Sequence, residues 1–227
     1  MLIGATALLV AACGKPDQRA GASTGGRRAD TLPPARAAAP DDRPVLLFLG
    51  TSLTAGLGLS VDSAYPAVIA RRVDSLGLGW RVVNGGLSGE TSAGAVRRLP
   101  WLLQGKIGML VIETGANDGL RGLDPDSTRA NIESIIRQAR SYDSAMKIVV
   151  VGMEAPPNLG VPYTSRFRAV FPDVARREHL PLIPFLLAGV AGIDSLNQAD
   201  GIHPTAAGDR IVARNVWRVI GPLLARR

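Results

Sequence analysis

From position 45 onward, short unbroken apolar runs alternate with longer stretches whose apolar residues recur every three or four positions. Val45–Gly50 (VLLFLG), Gly108–Glu113 (GMLVIE) and Met146–Met153 (MKIVVVGM) are short and lack a polar face, which predicts strands covered on both sides. Trp80–Asn84 and Leu180–Phe185 add two further strands. Between them lie five stretches with helical periodicity: Ala64–Leu76, Thr91–Leu103, Pro125–Tyr142, Thr164–His179 and Thr205–Leu224. Pro125 suits a first helical turn, and Ile132, Ile135, Ile136 and Ala139 share one face behind it. Helices alternating with buried strands predict right-handed crossovers and a parallel sheet, hence a three-layer α/β domain. No repeat of fixed period interrupts the pattern.

The first 44 positions follow a different logic. Residues 1–12 (MLIGATALLVAA) are almost wholly apolar, yet twelve helical residues span only about 18 Å, short of a hydrocarbon core of roughly 30 Å. A short apolar run ending in small residues predicts a signal-peptide core. The string Val10-Ala11-Ala12-Cys13-Gly14 resembles a bacterial lipobox, in which Cys13 is lipid-modified, although the usual basic n-region is missing. Residues 14–44 are rich in Gly, Ala, Pro, Ser and Thr and cannot bury enough apolar surface to offset ordering entropy, so they predict a flexible linker. The expected organisation is a lipoprotein-type signal over 1–13, a linker over 14–44 and a folded domain over 45–227. It describes an exported protein, periplasmic or at the cell surface, tethered to a bacterial membrane through Cys13.

Composition narrows the chemistry. With 46% hydrophobic and 20% charged residues the chain can build a core. A single Cys excludes a disulfide framework and a Cys-based zinc site, and two His leave only His179 and His203 as candidate bases. The net charge of +7 is scattered: residues 1–44 hold six basic against four acidic side chains, the remainder twenty against fifteen, with nothing longer than short Arg pairs such as Arg71-Arg72 and Arg97-Arg98. With no block of like charge and few interleaved aromatics, the pattern does not describe a nucleic-acid surface.

The polar turns fall in one place. In an open parallel sheet, ligands bind outside the carboxyl ends of the strands. Gly50-Thr51-Ser52, Asn84-Gly85-Gly86 leading to Gly89, Gly115-Ala116-Asn117-Asp118 and Asp200-Gly201-Ile202-His203-Pro204 all follow strands at that edge. Ser52 is a candidate nucleophile presented directly after a buried strand, although serine is also common as a turn or capping residue. The Asp200 to His203 spacing lets a carboxylate hold one ring nitrogen and leaves the other for a serine hydroxyl. His179 lies at a helix end among Arg176, Arg177 and Glu178, where a cation suits the helix dipole, and reads as structural. Asn117 offers an amide NH₂ and Gly89 a bare backbone N–H, both suited to an oxyanion.

Four blocks, Phe48–Gly56, Asn84–Ser92, Gly115–Gly122 and Asp200–Pro204, together resemble the SGNH, or GDSL-type, hydrolase family in order and spacing. The likeness is nearest in kind to bacterial periplasmic thioesterase/lysophospholipase and arylesterase enzymes. It implies a flavodoxin-like fold with five parallel strands and hydrolysis of carboxylic esters or thioesters through an acyl-enzyme. Ser52 would be nucleophile, His203 base and Asp200 its partner, with the Ser52 and Gly89 N–H groups and the Asn117 side chain as oxyanion hole. No metal or organic cofactor is implied. Glu154–Pro162 (EAPPNLGVP) would correspond to a loop bordering the acyl pocket, though a long loop here equally suits a rigid connection. One departure stands out: the motif aspartate is Thr51, which brings no charge and predicts a turn held less firmly and slower turnover. Position 54 is Thr, so the Gly-x-Ser-x-Gly elbow of α/β-hydrolases is absent. Rival readings are a polysaccharide or cell-wall O-acetyl esterase of the same fold and a tethered binding module with a degenerate triad. A flavodoxin-like cofactor domain lacks the phosphate-cradling helix start after the first strand.

Overall fold

The computed structural model describes residues 41–225. Five strands, β1 (Val45–Gly50), β2 (Arg81–Gly86), β3 (Ile107–Ile112), β4 (Lys147–Val151) and β5 (Leu182–Ile183), form one all-parallel sheet in the order β2-β1-β3-β4-β5. Seven α-helices accompany it among the described residues: α1 (Ser52–Ala55), α2 (Tyr65–Ser75), α3 (Ser92–Leu102), α4 (Ala116–Leu120), α5 (Pro125–Tyr142), α6 (Val161–Arg177) and α7 (Ala206–Ala225). Helices α3, α5 and α6 pack in sequence against one another, and α2 packs on α7, giving the two outer layers of an α/β/α fold.

β1 is buried along its whole length, as its unbroken apolar run requires of a strand covered on both faces. Leu46, Phe48, Met109, Leu110, Val149 and Val150 lie wholly inside. Phe48 stacks edge-on with Tyr65 from α2, while Phe167 and Phe171 of α6 fill the opposite layer. The chain leaves β1 for β2 on one side and returns to β3 on the other, so the strand order reverses between β1 and β3. The crevice beyond their carboxyl ends is where such sheets place a ligand.

The element boundaries differ from the periodicity where prolines and glycines intervene. β5 has two residues instead of the six in Leu180–Phe185, because Pro181 and Pro184 have no N–H to give the ladder and confine it to an edge. β2 runs past Asn84 through Gly85 and Gly86, which pair with Leu49 and Gly50. A Cβ at Gly86 would stand 2.2 Å from the Ala55 nitrogen, so the bare backbone is what lets α1 sit on the end of β2. α6 begins at Val161, taking the end of the proline-rich segment into its first turn, and Pro157–Leu159 form a 3₁₀ turn. α1 and α4, read in the sequence as turns, each coil into a single helical turn. Asp41 and Arg43, placed in the linker by composition, pair with one another and reach Arg81 and Asp74 of the folded unit. The rest of the expected signal and linker, Cys13 included, lies outside the described residues.

Candidate active site

Ser52 is the first residue of α1, directly beyond β1, and is nearly buried. The turn that precedes α7 brings His203 to it: the imidazole Nε2 lies 2.8 Å from the Ser52 Oγ. On the other side of the ring, Nδ1 lies 2.6 Å from Asp200 Oδ2. Asp200 also accepts the backbone N–H groups of Ile202 (2.9 Å) and His203 (3.0 Å). Its carboxylate thus closes the turn through Oδ1 and orients the ring through Oδ2. Hydrogen bonds from the His203 backbone and ring hold the Asp200 carboxyl down at about 2, so it stays ionised across the physiological range. An ionised partner at Nδ1 puts the ring proton there and leaves Nε2 to accept from the serine.

The expected oxyanion donors come from three turns. Neither the Ser52 nor the Gly89 backbone N–H has an acceptor among the described residues. Gly89 adopts φ +79°, a left-handed conformation that costs glycine little, and nothing approaches its vacant Cβ position within 4 Å. Asn117, in α4, donates one amide hydrogen to the Glu90 carbonyl at 2.9 Å, which fixes the side chain and leaves its second hydrogen free. Asp118 anchors α4: its buried carboxylate accepts from the backbone N–H (2.8 Å) and hydroxyl of Ser92 at the start of α3. All five predicted site residues of the folded unit therefore converge. His179 lies apart, at the end of α6, with φ +53°.

The turn that lost its motif carboxylate at position 51 contains one from elsewhere. Glu113, immediately after β3, has no exposed surface and accepts from the Thr51 N–H (2.7 Å), the Thr51 hydroxyl (3.0 and 3.1 Å) and the Thr54 hydroxyl (2.8 Å). Thr54 Oγ1 is also 2.7 Å from the buried Tyr65 hydroxyl. Thr51 caps α1 at the same time, accepting from the Leu53 N–H. Burial pushes the Glu113 carboxyl up to about 7 against these hydrogen bonds. In the sequence Glu113 stands only as the end of an apolar strand. A carboxylate closing a six-residue buried run was the signal, since such a group must find partners inside.

Beside Ser52 opens an apolar cleft of about 320 Å³ lined by Leu53, Ala116, Leu120, Met153, Phe185 and Ile202, among others. Ala155, Pro156 and Pro157 border it, so the proline-rich segment does reach the site. Among the described residues no group of three His, Cys, Asp or Glu side chains could hold a metal ion.

A family model described as GDSL-like lipase/acylhydrolase matches residues 48–211. Esterase TesA of Pseudomonas aeruginosa is 42% identical over 180 residues, covering 79% of this chain and 89% of that protein. The thioesterase 1/protease 1/lysophospholipase L1 of Escherichia coli is 34% identical over 190 residues, covering 83% and 88%. A crystal structure of the psychrotrophic esterase EstA from Pseudoalteromonas, inhibited by monoethylphosphonate, superposes with a TM-score of 0.75 at 28% identity, over 81% of this chain and 99% of that one.

Proposed function

The chain belongs to the GDSL-like lipase/acylhydrolase family, and we propose that it is a serine esterase that cleaves carboxylic esters or thioesters through an acyl-enzyme on Ser52. The observation that carries this reading is the continuous line from Asp200 Oδ2 through the His203 ring to Ser52 Oγ, with contacts of 2.6 and 2.8 Å. His203 takes the Ser52 proton as Oγ attacks the acyl carbon. The carbonyl oxygen gathers negative charge in front of the Ser52 and Gly89 N–H groups and the free amide hydrogen of Asn117. Collapse expels the alcohol or thiol with the proton from Nε2. A water activated by the same nitrogen then attacks the acyl-enzyme and restores Ser52.

The apolar cleft supports a hydrocarbon acyl group rather than acetyl alone, which disfavours the O-acetyl esterase alternative. Hydrolysis rates across a series from acetate to palmitate test it, with an optimum expected at an intermediate length; a maximum at acetate overturns it. The intact triad argues against a degenerate binding module. An organophosphonate should label the wild type at Ser52 and leave Ser52→Ala unlabelled; a wild type that resists the probe refutes the proposed mechanism. We also propose export and lipid anchoring at Cys13, supported by the lipobox-like string alone. Detergent-phase partitioning of the full chain should be lost in Cys13→Ala, and retention in the variant removes the anchor.

A further inference from the structure

Arg98, on α3, makes no hydrogen bond to the triad, yet its guanidinium reaches the turns after β1 and β2, two of the three that carry the expected oxyanion donors. Nε and Nη2 form a fork on the Glu90 carboxylate at 2.7 and 2.6 Å. Nη2 also donates to the Gly85 carbonyl at the end of β2 (2.8 Å) and, more weakly, to the Gly50 carbonyl at the end of β1 (3.4 Å). Two of these acceptors, Gly50 and Glu90, lie close to expected donors of the oxyanion hole. Gly50 is two residues before Ser52, and its carbonyl also accepts from Leu87 N–H at the head of the Gly89 turn. Glu90 follows Gly89, and its own carbonyl holds the Asn117 amide. Arg121 pins the same turn from outside, donating to the Gly89 carbonyl at 3.1 Å.

We propose that Arg98 is a positioning residue for ester hydrolysis, its fork on Glu90 fixing the Gly89 peptide and the Asn117 amide relative to Ser52. The Glu90 side chain is only 5% exposed and that of Arg98 22%, so the pair is largely withdrawn from solvent. A planar guanidinium can hold a carboxylate through two parallel bonds and still address backbone carbonyls in its plane, which an ammonium cannot. The Gly89 turn needs such a brace. Its glycine has an open space where a side chain would pack, so nothing from its own residue stops the peptide from rotating and turning its N–H away. The inference rests on Ser52 being the nucleophile.

The test compares Arg98→Lys, Arg98→Met and the double variant Arg98→Met/Glu90→Gln in the full chain. Arg98→Lys keeps a charge but not the fork, and kcat should fall roughly 10- to 100-fold with KM little changed, as expected when transition-state contacts are displaced. Arg98→Met leaves a buried carboxylate alone and should also lose stability. The double variant removes both charges and should regain stability while kcat stays low. That separation is the signature of positioning, because a purely structural pair would recover stability and turnover together. A double variant with wild-type kcat, or an Arg98→Lys enzyme slowed only in proportion to its unfolded fraction, overturns the proposal. If the wild type shows no turnover that depends on Ser52, the underlying mechanism fails and this inference with it.

Discussion

Glu113 gives the protein a pH dependence whose sign runs against the usual behaviour of carboxylates. Most are stabilised in the ionised form by partners in the native state, and stability falls as they are protonated. Glu113 is buried among neutral donors, and its carboxyl rises from 4.5 to about 7. The folded state therefore holds a proton that the unfolded chain has lost. Stability is fully present below the unfolded value and is lost as pH rises through the folded one, between about 4.5 and 7. At about 1.36 kcal/mol per pH unit, the shift is worth on the order of 3 kcal/mol. Asp209, buried and accepting the Tyr65 N–H at 2.9 Å, is raised to about 7 by burial and adds a loss of the same sign. Urea unfolding followed by circular dichroism should show stability decreasing from about pH 5 to pH 7 and levelling above. Glu113→Gln cannot ionise, so its slope should be shallower by up to about 1.4 kcal/mol per unit, leaving the share of Asp209. The variant can lose some stability at every pH, because one amide group now faces a donor, but that offset does not change the slope. A Glu113→Gln slope equal to that of the wild type would refute the reasoning.

Three further outcomes follow from single contacts. Asn117→Ala should lower kcat by about 10²–10³ while the urea midpoint stays close to wild type, since it removes one proposed oxyanion donor from a part-buried side chain; near-normal kinetics would remove Asn117 from the site. Thr51→Val leaves the Glu113 carboxylate short of a hydroxyl donor and α1 short of its cap, and the loss of about 1–3 kcal/mol should appear in urea unfolding. His179→Gly relieves a left-handed non-glycine residue at the end of α6 and should raise stability by about 0.5–1 kcal/mol, with ester hydrolysis unaffected. An unfolding midpoint unchanged or lowered would show that position 179 carries no strain.

Much of this protein is legible in one dimension. Continuous apolar runs can only be strands buried on both faces, and helical spacing between them leaves a parallel sheet as the arrangement that covers every apolar face. In that topology the loops after the strands share one edge, so Ser52, Gly89, Asn117 and the Asp200–His203 turn were bound to be neighbours before any distance was known. What the order of residues could not reveal were contacts between groups far apart in the chain with no periodicity to announce them. The acceptance of the Thr51 N–H by Glu113 spans 62 positions, and only the pairing of β3 beside β1 brings a carboxylate to the turn that lacks one at position 51. Arg98 belonged to a scattered Arg pair with no visible purpose, because its fork depends on where α3 lies over the ends of β1 and β2. Local patterning reports which faces must be hidden, a property each segment carries by itself. Hydrogen bonds and ion pairs depend on the last ångström of separation between segments, and packing of the whole sheet alone sets that distance.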